Sequence, residues 1–546
     1  MSVVFKKILV GNRGEIAVRV IRTCQEMGIK TVAVYSEVDA NALHVQLADE
    51  TVKTPSVRGY LDMEFILDAA RKTGSEAIHP GYGFLSENPV FAAKCAEAGL
   101  VFIGPDARAI ELMGDKARAR DTMLSAGVPV TPGTDGVIDT PKEALEIARR
   151  IGFPVLVKAV AGGGGRGMRL AHNEEELLAG LESARSEAKS SFGNSDVYLE
   201  KYLQGCRHVE IQILADQYGQ VVYLGERDCS IQRRNQKLIE ESPSPAVSRE
   251  LWQRMGKVAV AAAKAVNYRG AGTLEFLLDQ EGQFYFMEMN TRIQVEHPVT
   301  EFVSGLDLIR EQIRIAAGEP LGYDQSHIRV TGWALECRIN AEDPQTFLPS
   351  PGQVNFYRSP GGFGVRVDSA LYPGYTISPF YDSMIAKLIV QAPSREEAVK
   401  RMVRALSEFE IQGVKTTIPF HLRVMAHPDF QAGHFNTSFI QDKLTPLSSA
   451  EAHEKKEDQE KEKKNHIVKP AEALGDPPVA EHETAAAKAK EYGDCIAPEI
   501  VAVISGALAA MGQAKGENYQ ILSIHASGRG CSPWKLAGLY ERMGRV

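Results

Sequence analysis

Residues 284–301 read FYFMEMNTRIQVEHPVTE, and residues 273–279 shortly before them read TLEFLLD. Both runs alternate apolar and polar positions, and Glu281-Gly282 between them is a turn signal, so the pattern predicts a β-hairpin closed by a two-residue turn. Counting back from that turn sets Glu275 opposite Glu288, and the period of two sets Asn290 on the face of Glu288, a side that otherwise carries Phe284 and Phe286. Directly opposed carboxylates destabilise a sheet unless a cation bridges them or one of them holds a proton. Two Glu and an Asn carbonyl make a hard, all-oxygen set suited to Mg²⁺ or Mn²⁺, with positions left for water and phosphate oxygens. The bland alternative is an exposed polar hairpin face. Beyond the second strand come Arg292, Gln294, Glu296 and His297. A guanidinium that holds an oxyanion beside a carboxylate that removes its proton would suit Arg292 and Glu296, although residues four apart also form solvated ion pairs.

The 546 residues have room for roughly three or four domains. Hydrophobic residues at 44% and charged residues at 24% are those of an ordinary globular protein. A net charge of -8 argues against a nucleic-acid-binding surface as the main function. The seven cysteines, 24, 95, 206, 229, 337, 495 and 531, lie far apart with no zinc spacing and read as buried thiols of a reducing compartment. No run approaches a membrane span and the N-terminus lacks a signal peptide's apolar core, so the expected location is cytoplasmic.

In chain order, KILV at 7–10 leads through a Gly11 to Gly14 turn into a helical pattern and a strand at 31–35, a Rossmann-like βαβ unit without a complete GxGxxG fingerprint. Lys116 opens a second unit on a helical pattern, either reaching a phosphate or solvated. FPVLVKA at 153–159 runs into Gly162, Gly163, Gly164 and Gly165 before a returning strand. Successive glycines expose backbone N–H groups for phosphate oxygens, and Lys158 precedes them, so the pattern suggests a flap over a nucleotide rather than a Walker loop, with a flexible linker as the bland alternative. VYLEKYL at 197–203 offers backbone groups to an adenine edge, and 228–237 gathers Arg233, Arg234 and Lys237 in a basic loop suited to a small oxyanion. GWALECRIN carries Glu336, Arg338 and Asn340 on one face, and an α+β closing domain follows. The simplest partners for Arg338 are Glu336 or Asp343.

KILVGNRGEIAVRVIR, HPGYGFLSENP, VKAVAGGGGRGM, RDCSIQRRNQK and MEMNTRIQVEHPVTE, in this order and spacing, resemble the biotin carboxylase component of biotin-dependent carboxylases, over residues 1 to about 444. The resemblance implies a multidomain α/β and α+β chain built on the ATP-grasp fold. It implies a Rossmann-like domain at 1–114, an ATP-grasp domain at 115–330 with a glycine-rich lid near 131–203, and a C-terminal domain at 331–444. It also implies a ligase that turns ATP and bicarbonate into carboxyphosphate, whose CO₂ carboxylates N1′ of biotin on a carrier protein, releasing ADP and phosphate.

On matching positions, Lys116, Lys158 and the glycines 163, 164 and 165 would meet the phosphates. Glu200, Lys201 and Leu203 would form the adenine hinge, with His208, Gln232 and Asn235 flanking the nucleotide, and Glu275, Glu288 and Asn290 would hold Mg²⁺ or Mn²⁺. Lys237, Arg292, Gln294 and Val295 would hold bicarbonate, Glu296 would be the base, and Arg338 would steady the biotin enolate. Several family members have His where Asn235 stands; Asn donates a hydrogen bond but does not titrate near neutral pH.

No Met-Lys-Met biotinylation motif occurs in the sequence, which implies a separate biotin carboxyl carrier protein and a separate carboxyltransferase; a homodimer is what the family implies. From 445 to about 493 a mixed-charge run, EKKEDQEKEKK, followed by Pro and Ala reads as a linker. Residues 494–546 weakly resemble the end of small assembly subunits of biotin-dependent decarboxylase pumps, and the expectation is a tail that docks on the carboxyltransferase. Two rival readings stand beside the main one: an ATP-grasp ligase for another carboxylate, and an inactive nucleotide-binding scaffold.

Overall fold

The computed structural model describes residues 5–134, 136–160 and 167–444. Gly163, Gly164 and Gly165, the expected linker 445–493 and the expected docking tail 494–546 lie outside the described residues.

The strand Lys7–Val10, apolar and buried after its first residue, is the centre of a five-stranded parallel sheet, ordered Glu50–Lys53, Lys30–Tyr35, Lys7–Val10, Ala77–His79, Val101–Phe102. A central parallel strand is covered on both faces, which is why its sequence reads as a continuous apolar run rather than an alternation. Helix Gly14–Glu26 follows it, and Gly14 adopts φ +65° where the chain turns from strand to helix.

The second sheet has eight strands, all paired antiparallel. Their order is Phe284–Asn290, Gly270–Leu278, Arg207–Ala215, Val221–Arg233, Gln236–Ser242, Trp333–Asn340, Met384–Ala392, Val365–Ser369. Residue 330, where the sequence suggests a domain boundary, therefore separates strands of one continuous sheet, joined where Glu240 stands opposite Glu336.

The deciding hairpin pairs Glu275 with Glu288, the expected register, by an unexpected route. Asp279 N–H donates to the Gln283 carbonyl at 2.9 Å, so three residues rather than two close the turn. The pairing Phe276 with Phe286, followed by Glu275 with Glu288, leaves Met287 as an extra residue. This bulge restores the offset and also switches faces. Phe284 and Phe286 consequently leave the carboxylate face and pack with Phe276 in the core, at ring separations of 5.4 and 6.4 Å. Met287, Glu288 and Asn290 face the cleft instead.

Residues 228–237, expected as a basic loop, are strand up to Arg233 and again from Gln236. Arg234 and Asn235 close the hairpin with φ of 49° and 63°, the pair of positive values that a type I′ turn requires. Asn is among the few side chains that accept this conformation readily, which gives Asn235 a backbone role as well as a place in the cleft.

A third, three-stranded antiparallel sheet, Met168–Ala171, Val155–Ala159, Val197–Lys201, is backed by helices Pro141–Ile151 and Glu174–Phe192. It has a hydrophobic core of its own, which includes Ala144, Val157, Leu177, Leu181 and Leu199.

Candidate active site

A cleft of roughly 1010 Å³ opens between the three-stranded layer and the large sheet. Every expected site residue among the described ones lines it: Lys116, Lys158, Glu200, Lys201, Leu203, His208, Gln232, Asn235, Lys237, Glu275, Glu288, Asn290, Arg292, Gln294, Val295, Glu296 and Arg338.

At the nucleotide end, Lys158 ion-pairs with Glu200 on the neighbouring lid strand, and Arg120 stands 3.9 Å from the same carboxylate. The Lys201 ammonium donates to the carbonyls of Gly152 and Phe153 at 3.0 and 2.8 Å, tying the strand before the hinge to the lid. Leu156 and Met168 from the lid and Leu277 and Met287 from the sheet supply apolar lining. Lys116 reaches over to Glu288 at 3.7 Å.

The opposed Glu275 and Glu288 differ in environment. Glu275 is buried and receives Lys237 at 2.8 Å, the Asn290 amide at 2.8 Å and the Gln294 amide at 2.7 Å, while His208 Nε2 lies 2.8 Å from its other oxygen. Burial pushes the Glu275 carboxyl up, but Lys237 and His208 outweigh it and hold the group well below the ordinary carboxylate range. Glu288 is half exposed to the cleft, at 42% of its side chain. An ionised buried oxygen donor and an accessible one on adjacent strands, with the Asn290 carbonyl on the same face, fit a hard divalent cation.

Glu296 lies where the second strand's extension meets helix His297–Ser304. Its two oxygens are held separately, Oε1 by Lys237 at 2.7 Å and Oε2 by Arg338 at 3.0 Å. Burial raises the carboxyl, and Lys237, Arg338 and Arg227 together carry it far below the ordinary value. Lys237 itself meets three carboxylates, Glu210, Glu275 and Glu296, which overcome its desolvation and keep it charged. Arg338 pairs with Glu240 at 2.6 Å and with Glu296, not with the nearer candidates Glu336 or Asp343. Arg292 does not pair with Glu296 either: it donates to Glu87 at 2.8 Å and to Asn290 at 2.9 Å, so its guanidinium is steered by the first sheet's side of the cleft.

Beneath these groups lies Arg227, which the sequence reading does not single out. It is fully buried, ion-pairs with Glu210 and donates to Gln212 at 2.8 Å, Thr300 at 2.9 Å, Thr273 at 3.1 Å and Gln294 at 2.6 Å. By occupying the Gln294 carbonyl it turns the amide N–H groups of that residue toward the cleft side. Its strand, Val221–Arg233, also carries Glu226, Asp228, Gln232 and Arg233, so the sequence offers no signal that sets Arg227 apart.

These features define an ATP-grasp ligase: a separate three-stranded layer that carries a cleft-facing lysine, opposed carboxylates fit for a divalent cation, and a cationic pocket around the buried Glu296 carboxylate. Residues 4–110 match the biotin carboxylase N-terminal domain, 115–323 the ATP-binding domain of the carbamoyl-phosphate synthase L chain, and 336–442 the biotin carboxylase C-terminal domain. The chain is 58% identical over 441 residues to biotin carboxylase 1 of Bacillus subtilis, covering 80% of this chain and 98% of that one. It is 54% identical over 457 residues to the 2-oxoglutarate carboxylase small subunit of Hydrogenobacter thermophilus, 83% of this chain and 97% of that one. A crystal structure of the biotin carboxylase domain dimer of the Hydrogenobacter thermophilus 2-oxoglutarate carboxylase, in complex with MgADP, ADP and bicarbonate, superposes with a TM-score of 0.78 at 55% identity. That match covers 80% of this chain and 97% of that one. The chain belongs to the biotin carboxylase family and is an ATP-dependent ligase that carboxylates biotin.

Proposed function

We propose that this cleft performs the first half-reaction of a multisubunit biotin-dependent carboxylase, with the residue roles that follow. ATP lies between lid and sheet, its adenine against Glu200, Lys201 and Leu203 and its phosphates toward Lys116 and Lys158. His208, Gln232 and Asn235 flank the nucleotide. Glu275, Glu288 and Asn290 hold Mg²⁺, which neutralises phosphate charge when bound. Bicarbonate sits among Lys237, Arg292, Gln294 and the Val295 backbone, where cationic and amide donors converge.

Glu296 removes the bicarbonate proton, and the freed oxygen attacks the γ-phosphorus as ADP departs, giving carboxyphosphate. Its ion pairs make Glu296 a weak base before substrate arrives. An anion that draws Lys237 toward itself releases the carboxylate and raises its proton affinity. Carboxyphosphate then breaks its C–O bond to the phosphoryl group, giving CO₂ and phosphate; the phosphate takes the N1′ proton of biotin, the ureido oxygen gathers negative charge opposite the fixed charge of Arg338, and N1′ bonds to CO₂.

The observation that carries this reading is the suspension of Glu296 between Lys237 and Arg338, one oxygen to each. The test is ATP hydrolysis with Mg²⁺ and bicarbonate, with and without free biotin, beside Glu296→Gln. Biotin-stimulated hydrolysis lost in the variant supports it; hydrolysis indifferent to bicarbonate sinks it.

Biotin reaches the cleft on a separate carrier protein, and a separate carboxyltransferase uses the product. The five described cysteines are buried free thiols, which suits a cytoplasmic enzyme, and among the described residues no helix is long and apolar enough to cross a membrane. The enzyme acts as a homodimer, and residues 494–546 dock on the carboxyltransferase. Deleting 494–546 should leave free-biotin carboxylation intact and abolish co-purification with the carboxyltransferase; a retained complex overturns the docking role.

A further inference from the structure

The sheet face beneath helix His297–Ser304 carries four charged side chains on three adjacent strands, three of them buried and Arg338 partly so. Glu240 stands opposite Glu336, and Arg338 opposite Lys387, so all four share one face. Each strand neighbour and the covering helix can be accounted for. Lys387 donates to the Val295 carbonyl at 2.9 Å and approaches Glu15 at 3.2 Å and Asp368 at 3.8 Å, and it acts on Glu336 by its charge at longer range, without a hydrogen bond to either of that residue's oxygens. From the helix, His297 is kept neutral by its burial, and Glu301 is tied to Arg19 at 2.8 Å and Arg366 at 2.6 Å. Lys237 is taken by Glu210, Glu275 and Glu296. Arg338 divides itself between Glu240 Oε1 and Glu296 Oε2.

What remains is a pair of carboxyl groups with oxygens to spare. Both oxygens of Glu336 and Oε2 of Glu240 are buried with no hydrogen-bond partner among the described residues. Residues directly opposed in an antiparallel pair have Cβ atoms about 4.5–5.5 Å apart, close enough for two carboxyl groups to meet and too close for both to ionise in a dry interior. We propose that Glu240 and Glu336 share one proton and act together as the positioning pair for Arg338. The inference deepens the role given above to Arg338 and rests on it.

With the proton on the Glu336 side, Glu240 Oε2 gains a donor while Glu240 Oε1 keeps its hold on Arg338 Nε. One negative charge on the pair anchors the guanidinium from behind. A second would cancel the field that Arg338 presents to the developing charge on biotin. The environment agrees: burial raises both carboxyls, Glu240 to about 7 against the pull of Arg338, and Glu336 well above its ordinary value against the pull of Lys387.

The experiment uses the full chain as wild type, Glu336→Gln and Glu240→Gln. In the infrared difference spectrum of wild type minus Glu336→Gln at pH 7, a protonated-carboxyl band is expected from the wild type; its absence overturns the proposal. For free biotin, kcat/KM of the wild type falls on the alkaline side as the shared proton is lost, whereas Glu336→Gln, permanently neutral there, stays flat. Identical profiles overturn the proposal. Glu240→Gln releases the back of Arg338 and raises the KM for free biotin about tenfold, the effect of one charge-assisted hydrogen bond; an unchanged KM counts against the pair. Should Glu336→Gln not fold, the wild-type band is followed through a pH titration, and a band that does not fade with the alkaline limb is equally fatal. An Arg338→Gln variant that carboxylates biotin normally removes the role of Arg338 itself, a result separable from the pair because the infrared band does not depend on it.

Discussion

Lys237 Nζ lies 2.7 Å from Glu296 Oε1, and the same ammonium is the shared counter-charge of Glu210 and Glu275. One buried cation therefore serves three buried carboxylates from three different elements. Removing one member of a buried ionic cluster leaves the others uncompensated, which typically destabilises by about 3–5 kcal/mol. Lys237→Gln is expected to lower the melting temperature by several degrees and bicarbonate-dependent ATP hydrolysis by about a hundredfold or more. Thermal unfolding that matches the wild type would show that the three carboxylates do not need it.

Glu288 and Glu275 stand opposite each other but should respond differently to the same change. Glu288→Gln alters a half-exposed side chain and is expected to change stability by less than about 0.5 kcal/mol, while raising the Mg²⁺ concentration for half-maximal ATP hydrolysis about tenfold. Glu275→Gln, in a site of four polar neighbours, should destabilise as well. A Mg²⁺ titration of Glu288→Gln that overlays the wild type removes this residue from the metal set.

Gly133 marks the joint between lid and body. A Cβ there would meet the Leu199 carbonyl oxygen at 2.2 Å, a backbone atom that cannot rotate away. Gly133→Ala is expected to part the 131–134 segment from strand Val197–Lys201, to destabilise by about 1–3 kcal/mol, and to raise the KM for ATP more than that for bicarbonate. Equal changes in the two KM values would mean that the strain is not confined to the lid.

Glu226 is buried away from the cleft, with the Ser244 N–H at 3.2 Å, and burial raises its carboxyl to about 7. Its folded value lies above the unfolded one, so the fold binds the proton more tightly. The stability it contributes is present below the unfolded value of about 4.3 and is lost as pH rises through about 7. Glu226→Gln, always neutral, should gain on the wild type by on the order of 3 kcal/mol between pH 4.5 and pH 8. Denaturant midpoints measured at the two pH values check this, and a variant whose offset from the wild type is constant refutes it.

The opposition of Glu275 and Glu288 is legible in the sequence because alternation and a Gly turn fix a register to within a residue. It survives two compensating departures, a three-residue turn and the Met287 bulge, and only the face of Phe284 and Phe286 betrays them. The Arg234-Asn235 turn is harder to read, since no glycine announces it and its two flanking strands look like a charge run. Arg227 is hardest. Its partners Gln212, Thr273, Gln294 and Thr300 come from two strands, the loop after Asn290 and a helix, up to 73 residues away, and no local period encodes a burial that only the assembled sheet creates. For Arg338 the sequence offers close neighbours, whereas the sheet supplies Glu240, 98 residues distant, by strand pairing.

The eight-stranded sheet carries Glu275 on one side and Arg338 on the other through unbroken hydrogen-bonded strands. With the roles proposed above, the distance from phosphate chemistry to biotin chemistry is set by strand pairing within one sheet, while the three-stranded layer keeps a core of its own. On that proposal, carboxyphosphate made beside Glu275 lies at a fixed reach from the biotin ring that Arg338 faces.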